Sequence, residues 1–282
     1  MHAVLWIMKK SVTLIVALFC FALSWAEGEL DGRFQINAAG DLICFSKGNL
    51  VYTQTTDTWS FAEHQYDVIG AANLETGTST LADKIDLFGW SADGNMADPY
   101  GISNTNASSH YRGDFVEWGD NQISNGGNKP YVWRTLSAEE WTYLLNNHVQ
   151  FATAINGVSG IALVPQKTTL TESEKKASYT VAEWQDIENK GVVFLPLTGY
   201  RSAGSSSVTE INTVAYYWTS TKNGTDNAMI MRCNTTADAP TSCARKQGNP
   251  VRLVKQASSC TVTVKAVPNI AGAGTFSITV IE

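Results

Sequence analysis

The chain has 282 residues, 20 Lys+Arg against 26 Asp+Glu, and a net charge of −6. An acidic chain with no basic run is a poor candidate for coating nucleic acid, because phosphate binding needs clustered Lys and Arg. With 44% hydrophobic and only 16% charged residues it is too apolar for disorder, and its length suits one large domain or one domain plus a small module.

Residues 1–26 read as an export signal. Lys9-Lys10 precede an apolar stretch from Ser11 to Leu23, and Ser24-Trp25-Ala26 carries the small-x-small spacing that a signal peptidase accepts. The apolar run is too short to span a bilayer, and no later segment of the sequence could do so. Removing the leader takes the charge to 18 basic against 26 acidic, or −8. Four cysteines then remain, Cys44, Cys233, Cys243 and Cys260, which allow three pairings. Cys233 and Cys243, ten apart, suit a local bridge, and Cys44 with Cys260 would tie the two ends of the main domain. An oxidising compartment permits both.

The elements follow in chain order. Phe34–Ile36, Leu42–Phe45 and Leu50–Tyr52 read as strands separated by turn chemistry. Residues 70–130 are rich in Gly, Asn, Ser, Thr and Asp but hold aromatic islands such as Ile85–Trp90 and Phe115–Gly119. That mixture predicts long loops packed onto a core, since a linker would lack the tryptophans. Ser137-Ala138-Glu139-Glu140 is a capping box with Leu136 and Trp141 placed as a staple, and Trp141, Leu144 and Leu145 share one helix face up to Asn146-Asn147. Thr180-Val181-Ala182-Glu183 is a second capping box, with Trp184 and Ile187 following and Gly191 as a stop. Strands are then expected at Val192–Leu195, Tyr216–Trp218, Met229–Met231 and Pro250–Val254. Val262, Val264 and Ala266, then Phe276, Ile278 and Val280, alternate with polar residues around a Gly-containing loop, which predicts a hairpin. The organisation is therefore a leader (1–26), a main α+β domain with two short helices and small antiparallel sheets (27–257), and a β-hairpin tail or the start of a further β module (258–282).

Several blocks resemble, in order, a group of exported Bacteroidetes proteins. They are Phe45–Tyr52, Trp59–Asp67, Ile85–Trp90, Trp118 with Ile123–Asn128, Trp133–Leu136 with Glu140-Trp141, Phe194–Pro196, Gly199–Arg201, Tyr217–Thr221 and Val251–Val254. The set spans roughly residues 34–254 and is similar to the Fibrobacter succinogenes major paralogous domain. The resemblance implies a C-type-lectin-like fold, as in formylglycine-generating enzymes and retroelement-varied receptor-binding proteins, with neighbouring termini.

For chemistry, no GxSxG is present, and His64, His110 and His148 lie in unlike contexts. His64 reads as a packed or hydrogen-bonded structural residue. No cofactor and no Cys/His metal site is implied. Asp93-Gly94-Asn95 with Asp98 offers oxygen ligands, but EF-hand spacing is missing. Arg112-Gly113-Asp114 reads as a coincidental tripeptide, and the seven mature tryptophans as core. On the strand at 229–233, Met229, Met231 and Cys233 share one face and Ile230, Arg232 and Asn234 the other. By resemblance to the varied receptor-binding proteins, Ile230, Arg232, Asn234, Arg245, Gln247 and Asn249 are the expected ligand surface, with Tyr216 as one aromatic that could stack on a sugar. The function expected is non-enzymatic recognition or adhesion, secreted or at the cell surface, of a glycan or protein ligand. An enzyme related to formylglycine generation, using Cys233 and Cys243, and a fimbria-like structural subunit are the alternatives.

Overall fold

The computed structural model describes residues 28–73, 83–93, 108–202 and 207–257, and the backbone alone at 75–76, 80–81, 260–264 and 276–280. Residues 1–26, expected to be an export leader, the loop carrying Gly94 to Asp98, and the side chains of the C-terminal hairpin, Cys260 among them, lie outside the described residues. The architecture is α+β, mostly strands, with two helices and several small sheets in which all pairings but one are antiparallel. Among the described residues no helix is long and apolar enough to cross a membrane.

Both helices begin where their capping boxes do. Helix α1 (Ala138–Asn147) has Ser137 accepting from the Glu140 amide while Glu140 accepts from the Ser137 amide. Helix α2 (Val181–Glu188) repeats the arrangement with Thr180 and Glu183. In each case two donors that helix geometry strands at the N-terminus are satisfied reciprocally. After α2 the chain turns at Gly191, whose φ of +83 suits a residue without Cβ.

The two ends of the main domain meet in one sheet. Leu42–Phe45 pairs with Leu253–Gln256 in the register Phe45↔Val254, Cys44↔Lys255 and Ile43↔Gln256. The closeness of the ends is therefore supplied by a backbone ladder. A second sheet is built on the hairpin Val149–Ile155 and Val158–Val164, flanked by Val193–Pro196 and, in parallel, Ser178–Tyr179. The third is the meander Ala215–Asn223, Asn227–Cys233, Ala237–Ala244. The tail strands Cys260–Val264 and Phe276–Val280 form the expected antiparallel pair.

Period-two alternation stacks these sheets between three apolar clusters. In the second sheet Ile161, Leu163, Val193 and Leu195 face a central cluster with Phe34, Phe45 and Trp141, while Ala162, Val164 and Phe194 face the cluster holding Trp184 and Ile187. In the meander Ala215, Tyr217, Met231 and Cys233 face the central cluster, while Trp218, Ala228 and Ile230 face a third one. That third cluster gathers Trp59, Trp90, Trp118 and Trp133 from the loop-rich segments, so those loops are held by buried indoles. All seven tryptophans among the described residues are buried. Indole N–H groups clip distant backbone: Trp90 donates to the Thr219 carbonyl (2.8 Å), Trp218 to Phe88 (2.6 Å) and Trp133 to Gly126 (2.8 Å).

Candidate functional site

The expected ligand surface is not assembled as a patch. Ile230 is buried against the tryptophan cluster, because the face it shares with Arg232 is covered at this rung by the packed loops. Asn249 is fully buried, its backbone bridged to Phe88, its amide donating to the Cys243 sulfur and its carbonyl oxygen accepting from Gln247. Gln247 is half-buried. Asn234 folds its Oδ1 back onto the Thr235 and Thr236 amides to make a turn.

Arg245 is the largest departure. It is 2% exposed, with its guanidinium carbon 4.1 Å over the Trp90 ring. Nε donates to the Asn227 carbonyl (3.0 Å), Nη1 to Tyr111 (3.1 Å) and Gly113 (3.0 Å), and Nη2 to Gly224 (2.8 Å). Four carbonyls from two segments, the 111–113 loop and the 224–227 turn, converge on one fork, which suits a loop tether far better than a contact with a ligand. The same tether fixes the Arg112-Gly113-Asp114 loop. Both its charges are engaged, Arg112 with Asp226 (2.8 Å) and Asp114 with Lys222 (2.7 Å).

The expected local disulfide is not formed: Cys44, Cys233 and Cys243 are free. Register explains why. Cys233 stands opposite Ala237 and Cys243 opposite Ala228, five residues apart along the hairpin, and they join different clusters. Five residues of strand is about 16 Å, beyond the reach of a disulfide. Burial raises the Cys233 thiol and pushes Cys243 up to about 12. A nucleophilic cysteine needs the opposite shift, so burial works against thiolate formation at both positions. Cys44 is also pushed up to about 12, by burial and then by its hydrogen bond to Glu29, which also holds Lys255 (2.8 Å). The proposed Cys44–Cys260 link falls on a side chain outside the described residues.

His64 is exposed and hydrogen-bonded to Asp67 (3.2 Å), in line with a structural role, and Asp93 accepts from the Asp114 amide (2.7 Å). Among the described residues no group of three or more His, Cys, Asp or Glu side chains could hold a metal.

On the face of Trp218 and Ile230, the meander leaves half-exposed the rung next to its end rung Ala215–Cys233–Ala237. Tyr216, Arg232 and Asp238 are direct cross-strand partners, so they stand in one row on one face. The row continues the face of Trp218 and Ile230 past the edge of the packed loops. Arg232 and Asp238 are 41% and 43% exposed and meet at 3.3 Å through a single N–O contact. Burial raises the Tyr216 phenol, and the neighbouring Arg232 guanidinium partly offsets that rise. Tyr200, from the strand Tyr200–Arg201, packs its ring on Tyr216 (centroids 4.9 Å, 53°) and reaches Glu210 at 3.5 Å. Thr236 donates to the second Asp238 oxygen (2.9 Å).

Of the expected ligand residues, then, the structure leaves Arg232 in a half-exposed polar row, and it supplies Tyr216 as its neighbour. Tyr200 is not expected at the ligand surface from the sequence, and Asp238 reads there only as part of the polar 235–238 segment flanking it. The signal for Asp238 was available once a hairpin was drawn, because pairing Arg232 across the turn selects it. No protein-family model matches the chain, and no curated protein or solved structure is significantly similar to it.

Proposed function

We propose that this chain is a non-enzymatic recognition protein, exported to the cell surface or beyond, that binds its ligand through the row Tyr200–Tyr216–Arg232–Asp238. One observation carries the reading: three half-exposed side chains able to stack and hydrogen-bond, Tyr216, Arg232 and Asp238, are aligned by strand register on one sheet face, and Tyr200 packs onto Tyr216 from a neighbouring two-stranded sheet. A rigid support lowers the ordering cost of binding. The ordered sequence blocks, the joined ends and the loops packed by indoles favour a C-type-lectin-like scaffold for that row. The buried, high-pKa thiols weigh against the formylglycine-type alternative.

A strand-addition role for the meander is disfavoured by how its outer strand is blunted. Gln150 accepts from the Ala237 amide and donates to the Ala237 carbonyl, Pro240 lacks an N–H, and α1 packs against the sheet. The test is binding of the mature chain to a mixed glycan and peptide array, comparing wild type with the Tyr216→Ala/Arg232→Ala double variant at matched folding. At least a tenfold loss is expected on every retained ligand; equal retention by the variant rejects the row.

A further inference from the structure

We propose that the row takes an uncharged pyranose chain, a deepening that rests on the recognition reading above. The first argument is charge. Arg232 and Asp238 cancel one another, and Glu210 against Tyr200 adds a negative charge, on a protein that is already acidic. A uronate, sulfate or phosphate ligand would meet this balance unfavourably, since Arg232 already faces a carboxylate.

The second argument is the pairing itself. A sugar hydroxyl is donor and acceptor at once. Arg232 offers only donors and Asp238 only acceptors, 3.3 Å apart, so one hydroxyl or a vicinal pair can accept from the guanidinium and donate to the carboxylate. The contact between them is a single N–O approach, and each side is more than 40% exposed, so both keep capacity for a ligand. The third argument is the aromatic step. Tyr216 lies beside Arg232, and Tyr200 extends the row with a tilted ring. Two half-buried aromatic rings next to a donor–acceptor pair complement a pyranose, which has an apolar C–H face edged by hydroxyls.

Length agrees as well. Three strands spaced about 4.8 Å apart, extended by one ring contact, give a row of about 15 Å, the span of a short oligosaccharide. Such a site needs no metal, because its hydroxyl partners are side chains already on the protein.

The experiment presents neutral hexasaccharides of glucose, mannose and galactose, oligogalacturonates of equal length, and a peptide library to the mature chain. Wild type, Tyr216→Ala, Tyr216→Phe and Arg232→Ala are compared, each first checked by its melting temperature. The expected result is retention of at least one neutral hexasaccharide, a tenfold or greater loss in Tyr216→Ala and Arg232→Ala, near-native binding in Tyr216→Phe, and little change with salt or chelator. Retention of only oligogalacturonates or peptides, still lost in Tyr216→Ala and Arg232→Ala, overturns the neutral-sugar class and leaves the recognition row standing. Retention of any ligand unaffected by those variants, or of none, overturns both.

Discussion

Replacing Arg245 by alanine separates a structural arginine from a binding one. The side chain makes four hydrogen bonds to the carbonyls of Asn227, Tyr111, Gly113 and Gly224 and covers the Trp90 ring. Hydrogen bonds to a charged group are worth about 1.5–3 kcal/mol each when their loss strands a buried partner. Here the Gly113 and Gly224 carbonyls border an open cleft that water can enter once the guanidinium is gone, so the average is set nearer about 1 kcal/mol. With about 1 kcal/mol for the ring contact, the total is about 5 kcal/mol. At about 2–4 °C per kcal/mol for a domain of this size, Arg245→Ala should melt about 10–20 °C below wild type. Arg245→Lys keeps the charge but not the fork, and falls between the two. Arg232→Ala, which removes only partly exposed contacts, should stay within about 3 °C. Differential scanning calorimetry on the three variants is the assay. An Arg245→Ala melt within about 3 °C of wild type would refute the tether and return Arg245 to the list of surface residues.

Three other outcomes follow from the same structure. Asp86 is buried, accepts from the Ile69 amide and the Asn73 side chain, and is raised from 3.8 to about 6 by burial. Between those values the folded chain holds a proton that the unfolded chain has lost. Its contribution is thus full below about pH 4 and fades as pH rises through 6. Wild-type stability relative to Asp86→Asn should therefore fall by on the order of 3 kcal/mol from pH 4 to pH 7, read from urea midpoints; a difference flat in pH contradicts it. Thr180→Ala should cost about 1 kcal/mol by removing the α2 cap, measured by urea unfolding, with no loss of ligand binding. Deleting residues 258–282 should leave the melting temperature of the main domain unchanged, because the ladder joining its ends closes with the Ala257 amide on the Leu42 carbonyl (2.9 Å).

Local signals in the sequence were enough to place both helices. Ser137/Glu140 and Thr180/Glu183 define their starts by short-range hydrogen bonds that tertiary context had no reason to override. The hairpin at 149–164 went unread although Asn156-Gly157, with φ of +51 and +83, is strong hairpin chemistry; the apolar run after it does not alternate, because both faces of that sheet are buried. The same cause misplaced Ile230. Its face was assigned correctly, but what covers that face comes from Trp59, Trp90 and Trp118, far away in sequence. Arg245 and Asn249 look like surface residues by type, and only the convergence of four backbone carbonyls and the Phe88 bridge shows otherwise. The ten-residue cysteine spacing likewise suggested a closed loop, while strand register pulls those two thiols apart. The end-to-end ladder and the indole clips stiffen the scaffold without a Cys233–Cys243 bridge.

Hydroxyl-radical footprinting read by mass spectrometry tests the central claim most directly. Tyr131, 78% exposed and placed on a separate loop, serves as the internal control. With a saturating retained oligosaccharide, oxidation of Tyr200 and Tyr216 should drop severalfold while Tyr131 is oxidised as before. Unchanged oxidation at Tyr216, or protection confined to Tyr131, would contradict recognition through the cross-strand row.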